Sequence, residues 1–384
     1  MLPGIGLFGT GPDISVLVSI LRERGFKIEA IWGRTIKEAE DVSRELNIPF
    51  FTNKIDDVLL KKDVDLVFIN CPPFLHSQIS VKALGIGKHV VCDKPCGLGQ
   101  ADALKMVRGA QYYPMLITLV NHSLRFLPAF SQMKKALQDE YVGPQSEIGL
   151  MDIRIQMGSL LHNKFDWLCD EKMGGGALNL IGSHVVDLVS FLLGRAVRVH
   201  GVVRTYTKVT QNVNGIRQIS APDFVNFQME LEGGILVTAS LHTNIASKTF
   251  VQEVMICGRD GNLVVRGGDL FGQKKISERE EALYVDVQDL HCSTSDAHLP
   301  KPYIKGLCKM VSALRESFAQ DTWVKEPVQA AATFEDGLYV QAVLDAIRKS
   351  SDTRSWVKVN IISESPTNHA KILNATRMSA VIMH

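Results

Sequence analysis

The stretch Ile5-Gly-Leu-Phe8, followed by Gly9-Thr10-Gly11, decides the fold class. Its first four residues form a short apolar run typical of a buried strand, and the residues from Ile14 to Arg24 have the spacing of an amphipathic helix. Glycines between a strand and a helix allow a tight turn whose backbone N–H groups can approach a pyrophosphate. The third glycine of that fingerprint is replaced by Ile14, so the motif alone fits either a dinucleotide site or an ordinary turn.

Short apolar runs alternate with helical periods up to about residue 120. This alternation is typical of βαβ units, because each buried strand is followed by a helix that crosses back over a parallel sheet. We therefore predict that residues 1–120 form a Rossmann dinucleotide-binding domain. Further strands are predicted at Ile28–Trp32, Asp65–Ile69, His89–Cys92 and Met115–Val120, and helices at Ile36–Leu46 and His76–Leu84.

The pattern changes at about residue 146, where long stretches alternate apolar and polar residues, as in strands with one solvated face. Asp260-Gly261 lies between two apolar runs and is a hairpin signal. We predict that residues 121–384 form an α/β domain for substrate binding and oligomerisation, with a large, mostly antiparallel open sheet. Helices are expected after Gly176 and at Phe334–Lys349, and strands at Ser146–Gln156, Arg198–Val209, Phe224–Leu231 and Ile235–Leu241.

The composition is that of an ordinary globular protein. The length of 384 residues suggests two domains, and hydrophobic residues make up 46% of the chain. Because 42 Lys and Arg balance 41 Asp and Glu, the basic stripe of a nucleic-acid-binding protein is not expected. No apolar run reaches the roughly 18 residues of a membrane span, so no membrane partner is expected either.

Seven cysteines occur without a CxxC pair, which argues against a disulfide framework and a metal site. This usage favours a reducing compartment. The apolar N-terminus lacks a basic region and is interrupted by glycines, so we interpret it as a strand and not as a signal peptide. We therefore predict a cytoplasmic protein, while glycosylation sequons at Asn121 and Asn374 keep secretion as the alternative.

The end of the second predicted strand indicates which dinucleotide is bound. A NAD site usually carries an acidic residue there, which binds the ribose hydroxyls. This sequence has Gly33-Arg34-Thr35 instead, and a guanidinium beside a hydroxyl suits a 2′-phosphate. We therefore predict NADP rather than NAD, although a solvated arginine in a loop would give the same pattern.

Two later segments, Asn70-Cys71-Pro72-Pro73-Phe74-Leu75-His76 and Asp93-Lys94-Pro95, carry a family resemblance. Together with the glycine turn, they resemble the Gfo/Idh/MocA oxidoreductase family, and within it the glucose–fructose oxidoreductase domain-containing proteins of animals. Members share a proline-containing turn that ends in histidine and a Glu-Lys-Pro tripeptide, whose first residue is Asp93 here. The resemblance spans roughly residues 1 to 360, with further matches at Asn121, Arg125-Phe126, Gly174–Leu178, Gly182, His184 and Asp187.

The resemblance implies hydride transfer between a nicotinamide cofactor and a sugar, polyol or related carbonyl compound. It also implies a Rossmann domain, an α/β domain that often assembles into homodimers or homotetramers, and a cofactor that is tightly bound in some members. Lys94 would be the catalytic proton shuttle, with His184 assisting. The residues expected to bind the cofactor are Gly9, Thr10, Gly11, Arg34, Thr35, Cys71, Pro72, His76, Asp93, Lys94 and Asn121. The residues expected to bind the substrate are Lys94, Arg125, Asn179 and His184.

The helix after Gly176 bears on how active such an enzyme is. Leu180, His184 and Asp187 lie at i, i+4 and i+7 and are predicted to share one helix face. In active relatives the first position is commonly Asp, and Asn179 lies about 100° away around the helix, so it is a poor substitute. The leucine predicts weak or lost activity. The alternatives are a cofactor-binding pseudoenzyme that acts as a scaffold or sensor, and an extracellular matrix-associated protein.

Overall fold

Two sheets organise the computed structural model, which describes residues 2–161, 165–209, 218–244, 250–287, 300–319 and 323–363. Within these ranges the first sheet has six strands and the second has nine. The predicted fold class is confirmed, because a parallel sheet of the Rossmann type is followed by a mostly antiparallel sheet. The sequon at Asn374 lies outside the described residues.

The first sheet is parallel and buried on both faces, which explains why its strands are continuous apolar runs. Every residue of three central strands is buried. In spatial order the strands are β3 (Phe51–Thr52), β2 (Ile28–Trp32), β1 (Ile5–Phe8), β4 (Leu66–Ile69), β5 (His89–Cys92) and β6 (Thr118–Val120).

Two of the described α-helices begin at side-chain caps. The Thr35 hydroxyl accepts a hydrogen bond from the Glu38 backbone N–H at 3.2 Å, and Thr333 with Asp336 forms a reciprocal capping box. The helices are α1 (Ile14–Glu23), α2 (Ile36–Leu46), α3 (Ile55–Leu59), α4 (His76–Gly85), α5 (Gln100–Tyr112), α6 (Pro128–Gln138), α7 (Ser183–Leu192), α8 (Lys301–Ser317) and α9 (Phe334–Thr353).

The second sheet buries one face against α7 and α9, so burial alternates along its strands. All its strand pairs are antiparallel except one, formed by Ile148–Gln156 and Leu236–His242. In spatial order the strands are β14 (Glu281–Tyr284), β13 (Asp269–Lys274), β12 (Gly261–Arg266), β11 (Val251–Gly258), β7 (Ile148–Gln156), β10 (Leu236–His242), β9 (Phe224–Leu231), β8 (Ala196–Arg204) and β15 (Val357–Lys358).

Some predicted bounds were wrong, and the causes are local. The strand predicted up to Val209 ends at Arg204, because the Asp223 carboxylate accepts the backbone N–H groups of Tyr206 and Thr207, both at 2.8 Å. The helix predicted after Gly176 opens with a π-helical turn, Leu178–Gly182, before α7 begins. The short strand β3 and the strands β13 and β14 were not predicted.

The two halves of the chain share a core. Buried residues of α8, among them Ile304 and Val311, belong to the same apolar cluster as α1 and β1. At the edge of the first sheet, the Val120 N–H donates to the Ala332 carbonyl at 2.8 Å. The first sheet is therefore completed by residues after 300, and the predicted boundary at residue 120 remains a prediction.

One helical stretch, Glu171–Leu192, is long and apolar enough to cross a membrane by length and composition. However, 78% of its most apolar window is buried inside the protein. This is the environment of a core helix, and the stretch contains the π-helical turn and α7.

Candidate active site

Four strands of the first sheet end in the predicted motifs. Gly9 follows β1, Asn70 follows β4, Asp93 follows β5 and Asn121 follows β6. In open α/β sheets, ligands bind at the carboxyl ends of the strands, where the strand order reverses. Here the order reverses between β1 and β4, so these motifs border one crevice at the carboxyl ends of the strands, hereafter called the crevice.

The glycine turn leaves room for a nucleotide. A Cβ atom on Gly9, whose φ is +138°, would lie 2.0 Å from the Asn70 carbonyl oxygen, so only glycine fits there. A Cβ atom on Gly11 would meet no protein atom within 4 Å. Ile14, at the third fingerprint position, is buried in the core and donates its N–H to the Gly11 carbonyl. The turn therefore fits a pyrophosphate despite the missing glycine, and Gly9, Thr10 and Gly11 would hold it.

Arg34 and Thr35 lie at the end of β2, where a ribose would bind. The Arg34 side chain is 76% exposed and contacts the Glu38 carboxylate at 3.1 Å. The Thr35 hydroxyl accepts the Glu38 N–H, and its own hydrogen is left to donate. Both side chains can still approach a 2′-phosphate, so the choice of NADP remains a prediction.

His76 is fully buried and joins two segments of the crevice. Its Nδ1 lies 3.0 Å from the Pro95 carbonyl oxygen, and its Nε2 lies 2.7 Å from the Cys71 carbonyl oxygen. Both nitrogens are therefore directed at backbone carbonyl oxygens, which gives His76 a positioning role, and its contact with the cofactor stays a prediction. Burial raises the pKa of the Cys71 thiol, and Pro72, which follows it, is partly exposed.

Lys94 is partly buried and follows Asp93 directly after β5. The Asp93 carboxylate accepts a hydrogen bond from the Asn121 side-chain amide at 3.1 Å. Within the described part of the chain, no hydrogen-bond or ion-pair partner holds the Lys94 ammonium group. The ammonium is therefore available to a ligand, whereas the carboxylate beside it is already oriented.

Two buried histidines lie near this lysine, and a tyrosine packs against one of them. The His184 ring contacts the rings of His122 and Tyr303 edge to face, with centroid distances of 5.4 Å and 5.0 Å. Burial lowers the pKa of both histidines, and the nearby Lys94 ammonium lowers it further. Both imidazoles are therefore neutral at neutral pH.

Arg125 is buried in an ion-pair network. Its Nε and Nη2 atoms donate to the two Asp187 carboxylate oxygens at 2.8 Å and 2.7 Å. Nη2 also lies 3.3 Å from Asp336, and Nη1 lies 3.5 Å from the Ala330 carbonyl oxygen. All three guanidinium nitrogens face protein oxygens, so the predicted substrate contact is corrected to a structural role.

Asn179 is likewise used by the protein. Its side-chain nitrogen donates to the Gly175 carbonyl at 3.3 Å, and its side-chain oxygen accepts from Arg348. The predicted substrate contact is therefore corrected for this residue too. Leu180 is partly buried in the π-helical turn, so the α-helical spacing that placed it on the face of His184 and Asp187 does not hold.

Sequence reasoning did not assign roles to three residues near the crevice. His122 follows the predicted Asn121 directly, and this adjacency was the only signal for it. Tyr303 and Asp336 come from α8 and from the start of α9, more than 100 residues further along the chain. No local pattern could have indicated their approach.

Two family models match the chain. The model described as the oxidoreductase family, NAD-binding Rossmann fold, matches residues 4–119, and the GFO/IDH/MocA C-terminal domain matches residues 130–264. Glucose-fructose oxidoreductase domain-containing protein 2 of Homo sapiens is 45% identical over 383 residues, 98% of each chain. Glucose-fructose oxidoreductase domain-containing protein 1 of Xenopus tropicalis is 45% identical over 375 residues, 95% of each chain.

Solved structures show the same fold. Levoglucosan dehydrogenase in complex with NADH and L-sorbose has a TM-score of 0.77 at 18% identity, covering 94% of this chain and 99% of that one. An NAD binding oxidoreductase from Klebsiella pneumoniae has a TM-score of 0.77 at 21% identity, covering 95% and 100%. With family models over more than half of its length and relatives at 45% identity, the chain belongs to the Gfo/Idh/MocA oxidoreductase family.

Proposed function

We propose that the protein is an NADP-dependent oxidoreductase that transfers a hydride between the nicotinamide and a sugar, polyol or related small carbonyl compound. The observation that carries the proposal is the unpartnered Lys94 ammonium at the carboxyl end of β5, beside two neutral histidines. A lysine in this position can give or take the proton of a substrate hydroxyl. The sugar class is supported by the similar fold of levoglucosan dehydrogenase, which was solved with L-sorbose.

Cofactor binding, proton transfer and positioning are assigned to different residues of the chain. The cofactor, held by the glycine turn and by Arg34 and Thr35, supplies the hydride acceptor or donor when it is bound. Lys94 moves the proton at the substrate oxygen, and His184 assists with a hydrogen bond. The hydrogen bond between Asp93 and Asn121 fixes the loop on which Lys94 stands. We further propose that the protein is cytoplasmic and forms a homodimer or homotetramer. Assembly is supported by the oligomerisation that is common in the family and by the solvated face of the second sheet.

One feature favours the alternative, a cofactor-binding pseudoenzyme. Leu180 occupies the position where a carboxylate is expected in active relatives, and the Nδ1 atom of His184 has no partner among the described residues. An imidazole without an orienting acid is a poorer proton-transfer group. A secreted, matrix-associated protein remains a second alternative, which digestion with an endoglycosidase would reveal as a loss of mass.

A single-turnover experiment tests the proposal. Purified protein loaded with NADP is mixed with pooled sugars and polyols, and reduced-nicotinamide absorbance is followed for the wild type and for Lys94→Ala. We expect a signal from the wild type and a loss of about 10²- to 10⁴-fold in the variant, since a positioned proton-transfer group contributes that much.

Lys105→Ala is the matched control, because Lys105 is exposed and pairs with Asp102 at 3.3 Å. Firm cofactor binding without reduction from any pool would contradict the proposal. Turnover that appears only in Leu180→Asp would then establish the pseudoenzyme.

A further inference from the structure

Three ring nitrogens beside the crevice are buried without a hydrogen-bond partner among the described residues: both nitrogens of His122 and Nδ1 of His184. His122 is 1% exposed and His184 is 3% exposed. An unsatisfied buried polar atom costs about 1–3 kcal/mol. The concentration of three such atoms in one edge-to-face ring pair therefore calls for a function.

A metal ion does not explain this pair. Two imidazoles are too few ligands for a structural or catalytic zinc. Within the residues that the structure describes, no group of three His, Cys, Asp or Glu side chains could hold a metal. Each ring of the pair is a candidate hydrogen-bond partner for the other, because the two rings are in contact.

Ring chemistry offers that partner. A neutral imidazole has one N–H donor and one acceptor nitrogen, and turning a ring by half a turn exchanges carbon and nitrogen positions without changing the packing. The centroid distance of 5.4 Å is short enough for an N–H of His122 to reach Nδ1 of His184 where the edges of the two nearly perpendicular rings face each other. Tyr303 also contacts the His184 ring, at a centroid distance of 5.0 Å.

We propose that His122 is a positioning residue that donates a hydrogen bond to His184 Nδ1 and so fixes His184 in the tautomer with hydrogen on Nε2. His184 then presents a donor to the crevice. It would hold a substrate carbonyl or hydroxyl oxygen, and Lys94 alone would move the proton. The tautomer of His184 is inferred from the geometry of the two rings. Its role in catalysis rests on the proposed function.

The charges around His122 are consistent with a neutral donor. Lys94 and Arg125 lower its pKa, in addition to burial, and Asp187 and Asp336 raise it. Both carboxylates are also paired with Arg125, and burial, the largest cause, keeps the pKa of His122 lowered overall. His122 thereby takes the orienting role of the carboxylate that is absent at position 180.

The test is the tautomer of His184, read by ¹⁵N NMR of histidine-labelled, NADPH-loaded protein. We expect the wild type to show hydrogen on Nε2 only. His122→Phe keeps a ring but loses the donor, and we expect a mixture of tautomers. His122→Asn offers an amide donor and should restore the wild-type pattern. His184→Phe assigns the signal, and unchanged NADPH binding in each variant verifies the fold.

A wild type with hydrogen on Nδ1, or a His122→Phe variant with the wild-type pattern, would overturn the inference. With a substrate in hand, kcat for carbonyl reduction should fall about tenfold to a hundredfold in His122→Phe, recover in His122→Asn, and leave KM for NADPH unchanged. A wild type without turnover but with the expected tautomer would reject only the proposed function. The NMR outcome therefore separates the two.

Discussion

His89 and His122 are both buried histidines at strands of the first sheet, one at the start of β5 and one just after β6. His89 packs edge to face between Phe318 and Trp323, and its Nδ1 accepts the Ile117 N–H at 2.9 Å. His122 packs against His184 with both ring nitrogens unpartnered. The comparison shows that burial alone does not distinguish a structural histidine from a candidate functional one. The distinguishing observation is whether the ring nitrogens have hydrogen-bond partners.

The largest loss of stability is expected at the buried ion pair between Arg125 and Asp187, near His122. Asp187→Asn removes the charge that pairs with buried Arg125 and should lower the free energy of unfolding by about 3–5 kcal/mol. The control is the double variant Arg125→Met/Asp187→Leu, which removes both charges and should cost clearly less. Urea unfolding measures both, and equal losses would show that the ion pair itself is not responsible.

His89 should make stability depend on pH. Burial, followed by the nearby Lys325 charge, lowers its pKa in the fold to about 4, below the ordinary 6.5. The contribution of neutral His89 to the free energy of unfolding is therefore fully present above pH 6.5. It is lost as the pH falls from 6.5 to 4, and the loss is on the order of 3 kcal/mol. We expect His89→Asn, which keeps an acceptor for Ile117, to show a shallower loss of stability over this range. An unchanged slope in urea titrations would refute this assignment.

Matched phenylalanine variants compare the two histidines directly. His89→Phe leaves the Ile117 N–H buried without an acceptor and should cost about 1–3 kcal/mol. His122→Phe removes the hydrogen bond proposed to His184 but also an unpartnered nitrogen, so a change below about 1 kcal/mol in the free energy of unfolding is expected. Thermal unfolding of both proteins without ligand measures the difference. A larger loss for His122→Phe would reverse the comparison.

The last effect concerns cofactor binding and lies outside both buried environments, at the exposed Arg34. Removing a guanidinium that contacts a 2′-phosphate should weaken NADPH binding by about tenfold, equivalent to about 1.4 kcal/mol, and leave NADH binding unchanged. Fluorescence titration of Arg34→Ala with both nucleotides measures this ratio. Equal weakening for the two nucleotides would argue that the protein does not use Arg34 to select NADP.

The first sheet could be predicted closely because its signals are local. The bounds predicted for β1, β2 and β5 agree with the structure, since each strand is a short apolar run ended by glycine or a polar turn. β3 was missed because two residues form too short a run to show a period. In the second sheet, Asp223 ended β8 through contacts that local alternation cannot reveal.

The site could be predicted in its placement where residues follow strand ends, as for Lys94 and Asn121, and the roles of these residues stay predictions. It was not predictable where roles depend on contacts between distant segments. Arg125 meets Asp187 across 62 positions of the sequence, and this pairing engages its guanidinium. The π-helical turn also escaped prediction, because a spacing argument assumes an α-helix throughout.

The anchoring of α9 has a consequence for the order of biosynthesis. The Gln341 side chain donates to the carbonyl groups of Cys96 and Gly97, directly after Lys94-Pro95, and a Cβ on Gly337 would lie 2.6 Å from the Cys96 Cβ. The loop that carries Lys94 is therefore supported by residues made some 240 positions later. A nascent chain can form the parallel strands early, but its crevice is finished only when α9 leaves the ribosome.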